Sequence, residues 1–130
     1  MGLWKTSAAC GCIIIAVQSA AVADVGLKGK QLYDSYCGSC HQMDGGGVPM
    51  MQPELIEIDR ARDPVGGVIE MILKGSAAIE PGLSDFANEM PSFDYLSNDE
   101  IAQIATYVRS NFDNIGKAVT VADVKKQRGE

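Results

Sequence analysis

Apolar residues along this chain recur at helical spacing and are separated by breaks rich in glycine and proline. An apolar run covers Ala8 to Val17 and gives way to the small-residue sequence Ala21-Val22-Ala23. Leu32, Tyr33 and Tyr36 then follow the three-and-four spacing of one buried face, predicting a helix over Lys28–Cys37. Gly29 lies four residues before Tyr33 on that face, where a partner helix can approach closely. Asp44-Gly45-Gly46-Gly47 ends the helical stretch, and two prolines make Val48–Leu55 extended or turning. Val68, Ile69, Ile72 and Leu73 give an apolar face to a second helix, from Pro64 or Val65 to Lys74, with Gly75 as its stop. Residues 75–94 read as an irregular loop. Ser97 and Glu100 form a capping box for a last helix, whose buried side is Ile101, Ile104, Ala105, Val108 and Phe112. Ala122 to Gln127 adds a short helical turn. The expected architecture is all-α.

The first residues read as an address. One lysine, the apolar run and the A-x-A site are the three regions of a secretory signal peptide, with cleavage expected between Ala23 and Asp24. The run is shorter than the roughly 20 apolar residues of a membrane span. Residues 1–23, including Cys10, Cys12 and Trp4, are therefore expected to leave, and 24–130 to form one small domain with a short C-terminal tail and no stable membrane span. The expected location is the periplasm.

The 130 residues carry 11 Lys and Arg against 17 Asp and Glu, a formal charge of −6. Nucleic acid is excluded as a natural partner, because phosphate binding needs a basic stripe. An acidic surface suits either solubility or docking onto a basic redox protein.

The sharpest chemical signal is Cys37-Gly38-Ser39-Cys40-His41. Two cysteines three apart followed directly by histidine is the pattern for covalent haem attachment, because residues three and four apart share a helix face. Each thiol can form a thioether with a haem vinyl group while the imidazole reaches the iron. A thioredoxin-like dithiol uses the same Cys pair but expects a βαβ context, and zinc needs more ligands than this chain's single histidine supplies. A metal-bound imidazole donates its other N–H to a carbonyl or carboxylate, and the Pro53 carbonyl is the candidate acceptor.

Elimination selects the sixth iron ligand. Met1 leaves with the leader, Met43 is two residues from His41, Met50 and Met51 lie on the segment expected beneath the histidine, and Met71 has core spacing. Met90, on a loop and followed by Pro91, remains. The competing reading is a haem enzyme or gas sensor with an open or labile sixth site. No second histidine is present to support peroxide chemistry, and Arg109 reads as a surface cation.

Cys37–His41 with its following glycines, Pro53-Glu54-Leu55, Asn88-Glu89-Met90-Pro91-Ser92-Phe93, and Leu96-Ser97-Asn98-Asp99-Glu100-Ile101 through Thr106-Tyr107-Val108-Arg109 resemble class I c-type cytochromes. The likeness covers roughly Gly26 to Phe112. It is to the small single-haem bacterial domains that serve periplasmic dehydrogenases or terminal oxidases. The resemblance implies three to five helices wrapped around one covalently attached haem c, with the first and last helices crossing near Gly29 and Tyr107. It also implies His41 and Met90 as axial ligands and Pro53 as the acceptor for the His41 ring. The implied role is an electron carrier rather than an enzyme, suited to be the cytochrome subunit of a dehydrogenase complex. A periplasmic dehydrogenase would be its donor and an oxidase or another cytochrome its acceptor.

Overall fold

A computed structural model of the chain describes residues 19–130. The apolar run of the expected leader, with Cys10, Cys12 and Trp4, lies outside the described residues. Within them are five helices: α1 (Ser19–Tyr36), α2 (Gly38–His41), α3 (Gly66–Lys74), α4 (Asn98–Ser110) and α5 (Val121–Arg128). Two 3-10 turns, Asp59–Ala61 and Gly75–Ala78, complete the regular structure. The fold is all-helical, as the periodicity predicts. Among the described residues the only β-type pairing is one bridge between Val48 and Gln52, and no helix is long and apolar enough to cross a membrane.

The first helix starts earlier than Lys28. Ala20, Ala21 and Ala23 are strong helix formers, and they extend α1 back through the expected cleavage point. The chain then pauses for one residue at Cys37 and resumes as α2. The Cys37 N–H bonds the Tyr33 carbonyl at 2.8 Å and the His41 N–H bonds the Cys37 carbonyl at 2.9 Å, so the motif is held in helical register. Gln42, at a φ of 64°, ends the element.

The frame is the crossing of α1 over α4, which approach closely at Gly29. A Cβ on Gly29 would sit 2.7 Å from the Gln103 carbonyl oxygen and 3.1 Å from the Tyr107 Cβ. Below this contact Tyr33, Tyr107 and Phe112 form a three-ring cluster with centroids 5.1–5.6 Å apart. Tyr33 is fully buried, and its hydroxyl donates to the Gln42 carbonyl at 2.7 Å, tying α1 to the end of α2. Burial raises the Tyr33 pKa well above its usual value, with Cys37 and Tyr107 adding smaller contributions, so the hydroxyl stays a donor.

The C-terminal segment is built in more firmly than the sequence suggests. Thr120 and Asp123 form a capping box for α5, and Val124 is fully buried. Arg109, read from sequence as a surface cation, is 0% exposed. Its guanidinium donates to the Arg62 carbonyl at 2.6 Å, the Lys117 carbonyl at 2.9 Å and the Asp63 carboxylate at 3.0 Å. Those acceptors come from two loops distant in sequence, so Arg109 holds the tail and the 62–63 loop against α4. A buried charge is tolerated here because its donors meet fixed oxygens.

Gly29 sets a contrast that a melting experiment reads. Gly29→Ala is expected to destabilise the holoprotein by about 1–3 kcal/mol, because backbone on α4 must move. Gly26→Ala, whose Cβ would meet nothing within 4 Å, should instead stabilise α1 by about 0.5–1 kcal/mol. Equal effects at both positions would mean that the crossing is not a close contact.

Candidate cofactor site

The three packed helices α1, α3 and α4 and the loops between them enclose a cavity of about 570 Å³, within the range of cofactor sites, roughly 300–1,000 Å³. Its wall is mainly apolar, including Leu55, Ile58, Val68, Ile72, Phe93 and Ile104. Cys37, Cys40, His41, Pro53 and Met90 all line it. The structure thus brings together every residue singled out from sequence.

The histidine side is set by backbone. His41 is buried, and its Nδ1 lies 2.9 Å from the Pro53 carbonyl oxygen. A carbonyl only accepts, so Nδ1 carries the hydrogen and the Nε2 lone pair is left available as a ligand. The glycine run explains how Pro53 reaches this place. Gly47 has a φ of +62°, and a Cβ there would lie 2.6 Å from the Pro53 carbonyl carbon and oxygen. The Gly47 N–H bonds back to the His41 carbonyl at 3.0 Å. Only glycine lets the returning chain lie this close to the histidine's acceptor.

The two thiols differ. Cys40 is exposed and Cys37 is buried. Burial pushes the Cys37 thiol up to about 12, with the neighbouring Cys40 adding to the shift. Dithiol exchange wants the opposite, a thiol depressed toward neutrality in an electropositive setting. No strand precedes the motif, so the βαβ context of a thioredoxin-like pair is also absent from the described residues.

The methionine side is laced to the end of α3. The Met90 N–H donates to Ser76 Oγ at 2.7 Å and the Ser76 N–H to the Met90 carbonyl at 2.9 Å. Two residues on, Ser92 Oγ donates to the Leu73 carbonyl at 2.6 Å, and the Phe93 N–H to the Ile72 carbonyl at 2.9 Å. Gly75 is the residue that permits this docking. At a φ of +59°, a Cβ on it would lie 2.6 Å from the Pro91 carbonyl and closer still to the Met90 carbonyl oxygen. Sequence reading identified Gly75 as a helix stop, missed Ser76, and quoted Ser92 in a motif without giving it a role. The serines' only sequence signal is their nearness to Gly75 and Met90.

Met71 corrects another expectation. Its spacing suggested core filler, yet it is half-buried and lines the cavity beside Ile72. Met43, Met50 and Met51 do not line it. Two thioethers, Met71 and Met90, therefore face the same space. An apolar cavity that gathers two thiols, an oriented imidazole and a thioether fits a covalently held haem, which Cys37, Cys40, His41 and Met90 would hold.

A helical cavity protein with a Cys-x-x-Cys-His wall belongs to the haem-binding electron-transfer proteins. Residues 27–112 match the Cytochrome c family, and the chain belongs to it. It is 32% identical over 110 residues to proteins described as "Alcohol dehydrogenase (quinone), cytochrome c subunit" from Gluconacetobacter polyoxogenes and from Komagataeibacter europaeus. Each alignment covers 78% of this chain and 22% of the relative, so the chain spans about a fifth of the length of those proteins. The family's chemistry is electron transfer on haem.

The Met90 anchorage predicts a second contrast between glycines. Gly75→Ala should cost more than Gly82→Ala, which has a similar φ of +84° but open space around its Cβ. About 1 kcal/mol is expected at Gly82, and about 2–3 kcal/mol at Gly75. Amide exchange at Ser76 and Met90 should accelerate in Gly75→Ala alone. Unchanged exchange there would show that Gly75 does not carry the anchorage.

Proposed function

We propose that this chain is an exported electron carrier that would hold one haem c covalently through Cys37 and Cys40, with His41 and Met90 as the residues that would ligate its iron. It would pass single electrons from a dehydrogenase to a respiratory acceptor. The observation that carries the reading is the His41 ring, whose Nδ1 is fixed by the Pro53 carbonyl 2.9 Å away in the wall of the cavity that Met90 also lines. Haem, when bound, supplies a one-electron ferric–ferrous couple whose potential histidine and thioether ligation raise.

The chain's own residues do the rest. Pro53 orients the imidazole and keeps its proton on Nδ1, which strengthens Nε2 as a donor. Ser76 and Gly75 hold the Met90 backbone at the cavity wall, so less of this loop need be ordered on binding. The apolar wall excludes water and disfavours extra charge, which favours the reduced state. The carrier role is supported by membership of the Cytochrome c family and by the likeness to dehydrogenase cytochrome subunits.

Export to the periplasm is supported by the leader pattern ending in Ala21-Val22-Ala23, with the mature domain then beginning at Asp24. A dehydrogenase as electron donor is supported by the likeness to the cytochrome c subunits of quinone alcohol dehydrogenases. An oxidase or a second cytochrome would be the acceptor.

Carbon monoxide tests the ligand set, because it binds ferrous haem only where the sixth position is open. The reduced protein should keep its absorption spectrum under carbon monoxide. Met90→Ala should bind it readily, and Met71→Ala should not. A wild-type protein that takes up carbon monoxide would point to an open-site haem enzyme or gas sensor. Opening by Met71→Ala alone would move the ligand to Met71.

A further inference from the structure

Met50 stands where a glycine is expected and shows its side chain to solvent. Val48, Pro49, Met50 and Met51 form a tight turn, closed by the Met51 N–H to the Val48 carbonyl at 2.9 Å. Proline at the second corner and positive φ at the third is the type II pattern, whose third position favours glycine. Met50 holds that position at a φ of 62°, with 72% of its surface exposed. Met51 beside it is 41% exposed. Folding gains nothing from an exposed methionine at a strained corner, and such outliers persist where function needs them.

The turn sits at the cavity mouth. The Ala87 N–H donates to the Met50 carbonyl at 2.9 Å and the Asn88 N–H to the Met51 carbonyl at 3.2 Å, joining the turn to the loop that leads to Met90. Phe86 lines the cavity, but Met50 and Met51 do not, so an occupant of the cavity leaves them uncovered. Glu54, Asp85 and Glu89 flank the two joined segments, where they are exposed and also line the cavity's edge. Among the described residues none of these three carboxylates has a cation within ion-pair distance. No Lys or Arg occurs between Gln31 and Asp59, or between Gly75 and Val108. Among the described residues that line the cavity the one Lys or Arg is Arg60, and Lys125, Lys126 and Arg128 gather on α5.

We propose that the Met50–Met51 turn and the Phe86–Asn88 segment bonded to it, flanked by Glu54, Asp85 and Glu89, form a docking surface for a redox protein. The partner's contact face is apolar at its centre and ringed by Lys and Arg. This rests on the electron-transfer reading and adds where the partner sits and what its surface is like. Methionine suits such a contact, being flexible, polarizable and adaptable to more than one partner. The carboxylates steer a basic face onto the mouth and the apolar turn holds it there.

The probe is a zinc-substituted, lysine-rich mitochondrial cytochrome c, whose excited porphyrin gives one electron to the oxidised holoprotein; its triplet decay reports the rate. Wild-type quenching should slow as salt rises. The Glu54→Gln, Asp85→Asn, Glu89→Gln triple variant should quench about tenfold more slowly at low salt and lose most of the salt dependence. Met50→Gly should quench about fivefold more slowly, while melting at the wild-type temperature or above it. Slower quenching by a more stable protein is an outcome that a purely structural role for Met50 would not give. Lys125→Gln with Lys126→Gln should not slow the reaction. Wild-type rates and salt slopes in both mouth variants would overturn the docking surface and leave the carrier reading standing. A wild-type protein without covalent haem, unable to accept the electron, would overturn both.

Discussion

The close contact of α1 with α4 at Gly29 is the constraint from which the rest of the molecule is laid out. Because residue 29 has no side chain, the two helix backbones approach where a Cβ would stand 2.7 Å from a carbonyl oxygen of the other. That contact fixes the rotation of α1, and with it the positions of Tyr33, Cys37 and His41 further along the same helical path. Tyr33 then fills the angle of the crossing and reaches the end of α2 through its hydroxyl. A motif on a free helix would be only a spacing; held against α4, it becomes one wall of a cavity.

Both sides of that cavity are positioned by backbone, and each depends on a glycine of positive φ. On one side Gly47 brings the Pro53 carbonyl to the His41 ring; on the other, Gly75 lets Met90 and Pro91 lie on the end of α3. Groups set by main-chain hydrogen bonds move little when charge changes beside them, which is what a carrier that gains and loses an electron requires. Glu54, Asp85 and Glu89 stand at the cavity's edge while α5 carries Lys125, Lys126 and Arg128, so charge is unevenly spread over the surface.

Much of this is legible in the sequence. Periodicity gave the apolar faces of α3 and α4, and the capping box at Ser97 placed the start of α4 correctly. Spacing found the cysteines and histidine, and the chemistry of bound imidazole suggested Pro53. What escaped reading depended on contacts between distant segments. Arg109 is buried because carbonyls from residues 62 and 117 converge on it, and no local pattern signals that. Met71 faces the cavity, yet a cavity wall and a core have the same apolar spacing. Gly75 reads as a helix terminator whether or not another chain segment packs on it. The start of α1 differed because alanines that suit a leader also suit a helix.

Electron transfer by this chain requires covalent attachment of haem at one short motif. Trypsin should release residues 31–60, bounded by Lys30 and Arg60, as a peptide containing Cys37, Cys40 and His41. Mass spectrometry of that peptide, from protein exported in a host able to attach haem, is the decisive measurement. The peptide's mass should be increased by one haem, retained through denaturation, with neither thiol open to alkylation. An unmodified peptide whose two cysteines both alkylate after reduction would contradict covalent attachment.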